Sequence, residues 1–194
     1  AWCHAMSTHP RILAAVAAII GPNLLIRNGD IFMKKPGNTR RISWHVDSTA
    51  PSEQADLMVT AWLSMSDSTR SNGCMEFIPG SHRMPLPERN ADKHSLSLKG
   101  DDLTALDSLP TEFNLMQPGQ LSIHGFRTLH RSGGNHTSVR RFGYVTRFIS
   151  PAVSATASEC GQAFLAQGEN RPANVQIRPN FPVWWQRSDP TKGN

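Results

Sequence analysis

The run Leu57-Met-Val-Thr-Ala-Trp-Leu-Ser-Met65 constrains this chain more than any other stretch. Successive side chains on a strand point to opposite faces. One face here is Leu57, Val59, Ala61, Leu63 and Met65, all aliphatic and suited to a packed layer. The other is Met58, Thr60, Trp62 and Ser64, which mixes bulk with hydroxyls and suits a cavity wall. Such a strand belongs in a sheet with a core behind it and a binding space in front.

The rest of the pattern supplies partners for it. Thr8-His9-Pro10 reads as a helix start, and a helix from about Pro10 to Ile20 is stopped by Gly21-Pro22-Asn23. Strands are expected at Ile31–Lys35, Arg41–Asp47, Cys74–Ile78, Glu112–Leu115, Gln120–His124 and Arg140–Ser150, separated by turns such as Pro36-Gly37-Asn38 and Gln117-Pro118-Gly119. Pro51 to Gln54 reads as a loop. Residues 83–110 are polar and read as a long surface excursion. After Pro151 the pattern weakens, with one strand near Val175 to Ile177. Many short strands with Pro/Gly turns and one early helix predict a mostly-β jelly roll. A length of 194 residues fits one domain, 1–194, with a helical lead-in at 1–27, a jelly-roll core at 28–150 and an irregular extension at 151–194.

Composition narrows the setting. Three cysteines (Cys3, Cys74, Cys160) have no paired spacing, which fits a reducing, cytoplasmic compartment. Cys74 reads as a small buried hydrophobe. No run approaches the roughly 18 apolar residues of a membrane span. Ile12 to Ile20 follows Arg11 and could imitate a secretion signal, but the Gly-Pro stop after it favours a short helix. The first residue is not Met, as in a fragment or processed product. The net charge of +5 is either ordinary mild basicity or the mark of an anionic ligand. Arg40, Arg41, Arg127, Arg131, Arg140, Arg141 and Arg147 crowd the stretches described next. No basic run with interleaved aromatics points to nucleic acid, and Trp184-Trp185 reads as packing of the tail.

The chemistry sits in Trp44-His45-Val46-Asp47. His45 and Asp47, at i and i+2, share one face of a strand and can converge on one metal ion. His130, in Leu129-His130-Arg131-Ser132, lies far enough along to come from another strand. Two histidines and one carboxylate on one face leave metal positions open, the arrangement of non-haem Fe(II) oxygenases. Gly133-Gly134-Asn135 is a strong turn signal; a hairpin there would bring the Arg140–Ser150 strand beside His130. Arg141 would then be a fixed cationic fork for a carboxylate, with Ser132 as a second donor. His124 is the rival third ligand, but no Ser follows it by two residues.

At these residues the chain resembles the phytanoyl-CoA dioxygenase family of Fe(II)/2-oxoglutarate oxygenases, over roughly Gly21 to Pro151. The resemblance rests on Trp44-His45-x-Asp47, Val59-Thr60-x-Trp62, Asn72-Gly73-Cys74, Ile78-Pro79-Gly80-Ser81-His82 and Leu129-His130-x-Ser132-x-x-Asn135-x-x-Ser138-x-x-Arg141. It implies a cupin-like double-stranded β-helix. It implies that His45, Asp47 and His130 hold iron, and that Arg141 and Ser132 bind the distal carboxylate of the cosubstrate 2-oxoglutarate. Lys34, in Phe32-Met33-Lys34-Lys35-Pro36-Gly37, would help neutralise that cosubstrate, with Thr60 and Ser64 as further cosubstrate candidates. O2 and 2-oxoglutarate would give succinate, CO2 and a hydroxylated C–H bond in a small-molecule substrate, anionic or carrier-linked. Asp47 argues against chlorination, which leaves that ligand position open for chloride. Two departures stand out: Val46 occupies a place where the family often has Gln, and less chain precedes the first helix. The alternatives are a non-catalytic or truncated jelly-roll module that binds metal or ligand, and a cupin-type isomerase or hydrolase, which would leave Arg141 without a role. Oligomeric state is not legible.

Overall fold

Alternating two-faced strands bury themselves by stacking two sheets, and this chain does so. A computed structural model describes residues 2–47, 52–85, 105–154 and 162–178. Three α-helices are present among them: α1 (Trp2–Ser7), α2 (Pro10–Ile20) and α3 (Ser52–Ala55). The strands are β1 (Leu24–Lys34), β2 (Ile42–His45), β3 (Met58–Ser64), β4 (Met75–Phe77), β5 (Glu112–Phe113), β6 (Leu121–Gly125), β7 (His130–Ser132), β8 (Arg141–Ile149), β9 (Gln162–Gln167) and β10 (Gln176–Ile177). One sheet runs β10-β9-β1-β8-β3-β6 and the other β2-β7-β4-β5. Except for the parallel β9–β10 pair, neighbours are antiparallel. The result is the expected mostly-β jelly roll.

α2 forms where the sequence predicts it. Pro10 occupies the first turn, His9 Nδ1 accepts from the Arg11 N–H at 3.3 Å, and Gly21 closes the helix with a positive φ of 92°. Its buried residues Ile12, Leu13, Val16 and Ile20 lie on one stripe. That stripe packs on Leu24, Ile26, Val59, Ala61, Phe148 and Phe164, the outer face of the larger sheet. So the aliphatic face of β3 meets a helix, and its mixed face, Thr60 and Trp62, lines an interior cavity.

Three local expectations are corrected. β1 starts at Leu24 rather than Ile31, and its central residues 28–33 are exposed, which hides it from an apolar-pattern reading. Ser52–Ala55 is a helical turn, not a loop. β7 and β8 do not form a hairpin: β7 pairs with β2 and β4, β8 with β1 and β3. Residues 133–140 cross from one sheet to the other, so Arg141 faces the β7 strand across the interior. β9 and β10 add two strands beyond Pro151. Trp184-Trp185, Cys160 and most of the 83–110 excursion lie outside the described residues.

Phe148 has no solvent exposure and sits at the centre of the α2–sheet layer. Phe148→Ala is expected to lower unfolding free energy by about 3–5 kcal/mol, read as a fall in the urea midpoint with unchanged slope.

Candidate metal centre and anion pocket

The period of two sorts each strand of the smaller sheet. His45 pairs with His130, and Phe77 and Met75 pair with His130 and Ser132 on the far side of β7. These side chains face the interior. The intervening residues face out: Arg131 bonds Glu76 at 2.6 Å, lies 4.4 Å over the Trp44 ring and also bonds Asp107. Trp44 and Val46 pack together with Ile78, Leu106 and Leu129. Val46 therefore points away from His45 and Asp47, as i+1 on a strand should.

Asp47 lies just past β2, tied by its N–H to the Phe126 carbonyl at 2.8 Å. One ligand atom from each of His45, Asp47 and His130 falls within 4.8 Å of the others. His45 Nδ1 donates to the Ser43 carbonyl at 2.8 Å, and His130 Nδ1 to the Thr128 carbonyl at 2.9 Å. A carbonyl only accepts, so each Nδ1 carries the proton and each Nε2 presents a lone pair. Burial lowers the His45 pKa. Burial, and then the neighbouring His45 and His124, lowers that of His130 to about 3. Both rings are therefore neutral and ligand-ready at pH 7.

Burial by itself would raise the Asp47 pKa, but its contacts outweigh that and hold the carboxyl well below the usual range. Oδ2 accepts from the Thr60 hydroxyl at 2.5 Å and from His124 Nε2 at 3.3 Å. Oδ1 lies 3.8 Å from Arg147 Nη2. His124, the rival candidate, is thus placed against the Asp47 carboxylate, with its ring 4.7 Å from that of His130. Thr60, expected to face a cosubstrate, has its hydroxyl engaged by Asp47. Ser64, its companion candidate, donates instead to the Ser66 carbonyl at 2.7 Å.

The far end of the cavity is cationic. Lys34 and Arg141 are register partners on β1 and β8, both buried, and Ser132 lines the same cavity from the other sheet. Burial, then Arg141 and Arg40, lowers the Lys34 pKa to about 8. Burial lowers Arg141 to about 10, so it stays charged at neutral pH. Arg141 Nε approaches the Ser68 hydroxyl at 3.4 Å, and its Cζ lies 4.5 Å over the Trp62 ring. Arg141 Nη2 and Trp62 Nε1 are buried with no hydrogen-bond partner. Two orphaned donors, one of them on Arg141 itself, with Lys34 alongside, suit an anion, since each unpaired buried donor costs about 1–3 kcal/mol. The chemistry of the residues present therefore fits both a divalent metal and a carboxylate. The cavity holding both ends is about 460 Å³.

Most of the other motif residues turn out to be scaffolding. Asn135, fully buried, donates to the Lys34 and Val139 carbonyls and holds the crossover before Arg141. Ser81 Oγ accepts from the Leu129 N–H at 2.9 Å and so fixes the residue before His130. Gly73, at φ +83°, lets its turn abut the Gly133 carbonyl, which a Cβ would meet at 2.5 Å. Arg140 is exposed, as expected of a strand residue beside an inward arginine.

Two facing sheets with two inward histidines and one inward carboxylate define a cupin-like double-stranded β-helix with a candidate facial metal triad. The chain belongs to the phytanoyl-CoA dioxygenase (PhyH) family, whose sequence profile matches residues 2–143. It is 31% identical over 138 residues to the probable alpha-ketoglutarate-dependent hypophosphite dioxygenase of Stutzerimonas stutzeri, covering 68% of this chain and 47% of that one. It is 28% identical over 153 residues to the mouse (Mus musculus) phytanoyl-CoA dioxygenase domain-containing protein 1, covering 75% and 52%. The chain thus spans about half the length of these curated relatives. Among solved structures, the non-haem monooxygenase ThoJ superposes in its apo form with a TM-score of 0.74 at 26% identity, covering 91% of this chain and 64% of that one. The ThoJ–Ni complex gives 0.72 at 28% identity, covering 96% and 68%.

Trp62 packs flat against Gly143, where a Cβ would stand 2.5 Å from its ring carbons. Gly143→Ala is expected to push the indole into the cavity at a cost of about 1–3 kcal/mol. The check is a shift in the part of the tryptophan emission that Trp62→Phe removes.

Proposed function

We propose that the chain is the catalytic core of an Fe(II)- and 2-oxoglutarate-dependent dioxygenase that hydroxylates an unactivated C–H bond of a small organic molecule. The observation that carries this reading is the pairing of two sites in one cavity. One is the His45–Asp47–His130 cluster, with both Nε2 lone pairs free for a metal. The other is the orphaned Arg141 Nη2 among buried cations. A hydrolase or isomerase that needs no 2-oxoglutarate would leave the second without a role. The names of the relatives, an alpha-ketoglutarate-dependent dioxygenase and a non-haem monooxygenase, agree with it.

Iron, when bound with the cosubstrate, supplies O2 activation: one oxygen atom enters succinate as CO2 leaves 2-oxoglutarate, and the other enters the substrate. The residues do the rest. His45, Asp47 and His130 would hold the metal, and the Ser43 and Thr128 carbonyls fix the ring tautomers. Arg141, Ser132 and Lys34 would bind the distal carboxylate of 2-oxoglutarate, joined by the Trp62 N–H. Thr60 and His124 hold Asp47 Oδ2 and so orient its carboxylate. None of the helices in the described residues is long and apolar enough to cross a membrane.

The test is succinate formation from 2-oxoglutarate by Fe(II)-loaded protein with ascorbate, alongside the visible charge-transfer band of the anaerobic Fe(II)–2-oxoglutarate complex. Arg141→Ala is expected to raise the KM for 2-oxoglutarate about 10- to 100-fold, the loss of one charge-assisted contact. His130→Ala is expected to abolish both band and turnover. A wild type that forms neither band nor succinate overturns the reading.

Lys34 sets a pH limit on cosubstrate binding. Its pKa lies below the ordinary 10.5, so its charge is lost as pH rises through about 8. Binding of 2-oxoglutarate should therefore weaken above that pH, and Lys34→Met should be weaker throughout with the pH dependence removed. Between about 8 and 10.5 the unfolded chain holds the proton that the folded one has released, so stability should rise with pH in that window.

A further inference from the structure

Counting charge in the cavity leaves a surplus. Lys34, Arg40, Arg41, Arg141 and Arg147 line it, and among the described lining residues Asp47 is the lone carboxylate. Arg131 is directed outward to Glu76 and Asp107. A divalent metal, Asp47 and dianionic 2-oxoglutarate, taken with Lys34 and Arg141, already leave the cavity positive. Arg147, countered by Asp30 at 2.9 Å, and the exposed Arg40 and Arg41 come on top of that.

Arg147 is the deepest of these three. It shares the inner face of β8 with Arg141, six residues or about 20 Å away along the strand. It is the register partner of Thr60, the residue that holds Asp47. A cosubstrate whose distal carboxylate occupies Arg141 therefore leaves Arg147 open on the other side of the triad. Nη2 stands 3.8 Å from Asp47 Oδ1, beyond hydrogen-bond reach. Nη1 is held by Asp30 Oδ2 at 2.9 Å, and that oxygen also takes a bond from Asn28 at 2.8 Å. Asp30 is the more solvated partner, its side chain 48% exposed against 17% for Arg147. The guanidinium lies 5.9 Å over the ring of Phe32, which lines the cavity beside Val145. A cationic fork beside an apolar wall, with a solvated and exchangeable counter-ion, suits an organic acid whose body packs on Phe32 while its anionic group displaces Asp30.

We propose that Arg147 is the substrate-anchoring residue and that the substrate is an organic anion with an apolar body, bound on the side of the triad away from Arg141. This rests on the proposed function and adds the substrate's chemical class and its handle.

The test uses phenylacetate and its uncharged isostere phenylacetamide as probes. Both are titrated into anaerobic protein carrying Fe(II) and saturating 2-oxoglutarate, and binding is followed by the paramagnetic broadening of probe protons near the metal. Phenylacetate should bind at least about tenfold tighter than the amide. Arg147→Gln should erase that preference while keeping the Fe(II)–2-oxoglutarate band, Arg147→Lys should restore part of it, and Asp30→Asn should tighten phenylacetate binding. Equal binding of the two probes, no binding of either, or a preference that survives Arg147→Gln overturns the proposal. So does loss of the band in Arg147→Gln, which would make Arg147 a support for Asp47 rather than a substrate contact. If the wild type never forms the band, the oxygenase reading is what has failed, and titration of the metal-free protein with the same two probes, followed by saturation-transfer NMR of the probe protons, still decides whether Arg147 selects anions.

Discussion

An ionised carboxylate between two β-sheets is the constraint from which the rest of this interior follows. Removing such a charge from water costs several kcal/mol even after relaxation. Asp47 is 7% exposed. The Thr60 hydroxyl and His124 take up one of its oxygens, and the Arg147 guanidinium faces the other. Thr60 and His124 come from the larger sheet, on β3 and β6, whereas His45 and His130 come from the smaller one. The two sheets therefore meet at Asp47 as complementary halves, one supplying two candidate imidazole ligands and the other the support for the carboxylate. Neither half makes chemical sense without its partner, which explains why polar residues sit in the middle of a sandwich that α2 closes with purely apolar contacts on one outer side.

The parts legible in the sequence are those governed by local alternation. His45 and Asp47 could be paired because i and i+2 share a face, and β3 could be split into a helix-facing side and a cavity side for the same reason. What lay beyond reach depends on which sheet each strand joins. Gly133-Gly134-Asn135 announces a reversal of direction, yet a turn signal is silent on whether the next strand pairs with the last or crosses to the other layer. Here it crosses, because Asn135 ties the loop to the Lys34 and Val139 carbonyls. The roles of His124, Trp62 and Arg147 were not legible for a related reason: their partners Asp47, Arg141 and Asp30 stand on other segments far along the chain. Among charged strand residues, parity alone separated inward Arg141 from exposed Arg140.

The motifs carrying the family resemblance divide into two kinds once placed. His45, Asp47, His130 and Arg141 present atoms to the cavity. Gly73, Ser81 and Asn135 present none; they hold the backbone on which those atoms depend. Ser81 fixes the amide before His130, and Gly73 allows its turn to approach the Gly133–Gly134 crossover closely. A ligand triad needs its donor atoms within fractions of an ångström, and short strands such as three-residue β7 have few ladder bonds of their own to give that precision. Side-chain-to-backbone clamps supply it where the sheet does not.

The same accounting explains why the cation end of the cavity is a poor place energetically until an anion fills it. Lys34 and Arg141 are like charges on directly paired strands, an arrangement that opposes folding. Arg141 Nη2 and Trp62 Nε1 add two buried donors without acceptors. A dicarboxylate entering there would remove both penalties at once, so its binding would stabilise the fold as well as fill the site. The depressed pKa of Lys34 is the signature of this tension: burial and the two neighbouring arginines favour losing the proton, and a bound carboxylate would favour keeping it. Stability given up at such a pocket would be regained by a ligand of the right charge, which would make a β-sandwich of otherwise ordinary packing favour an anion at its centre.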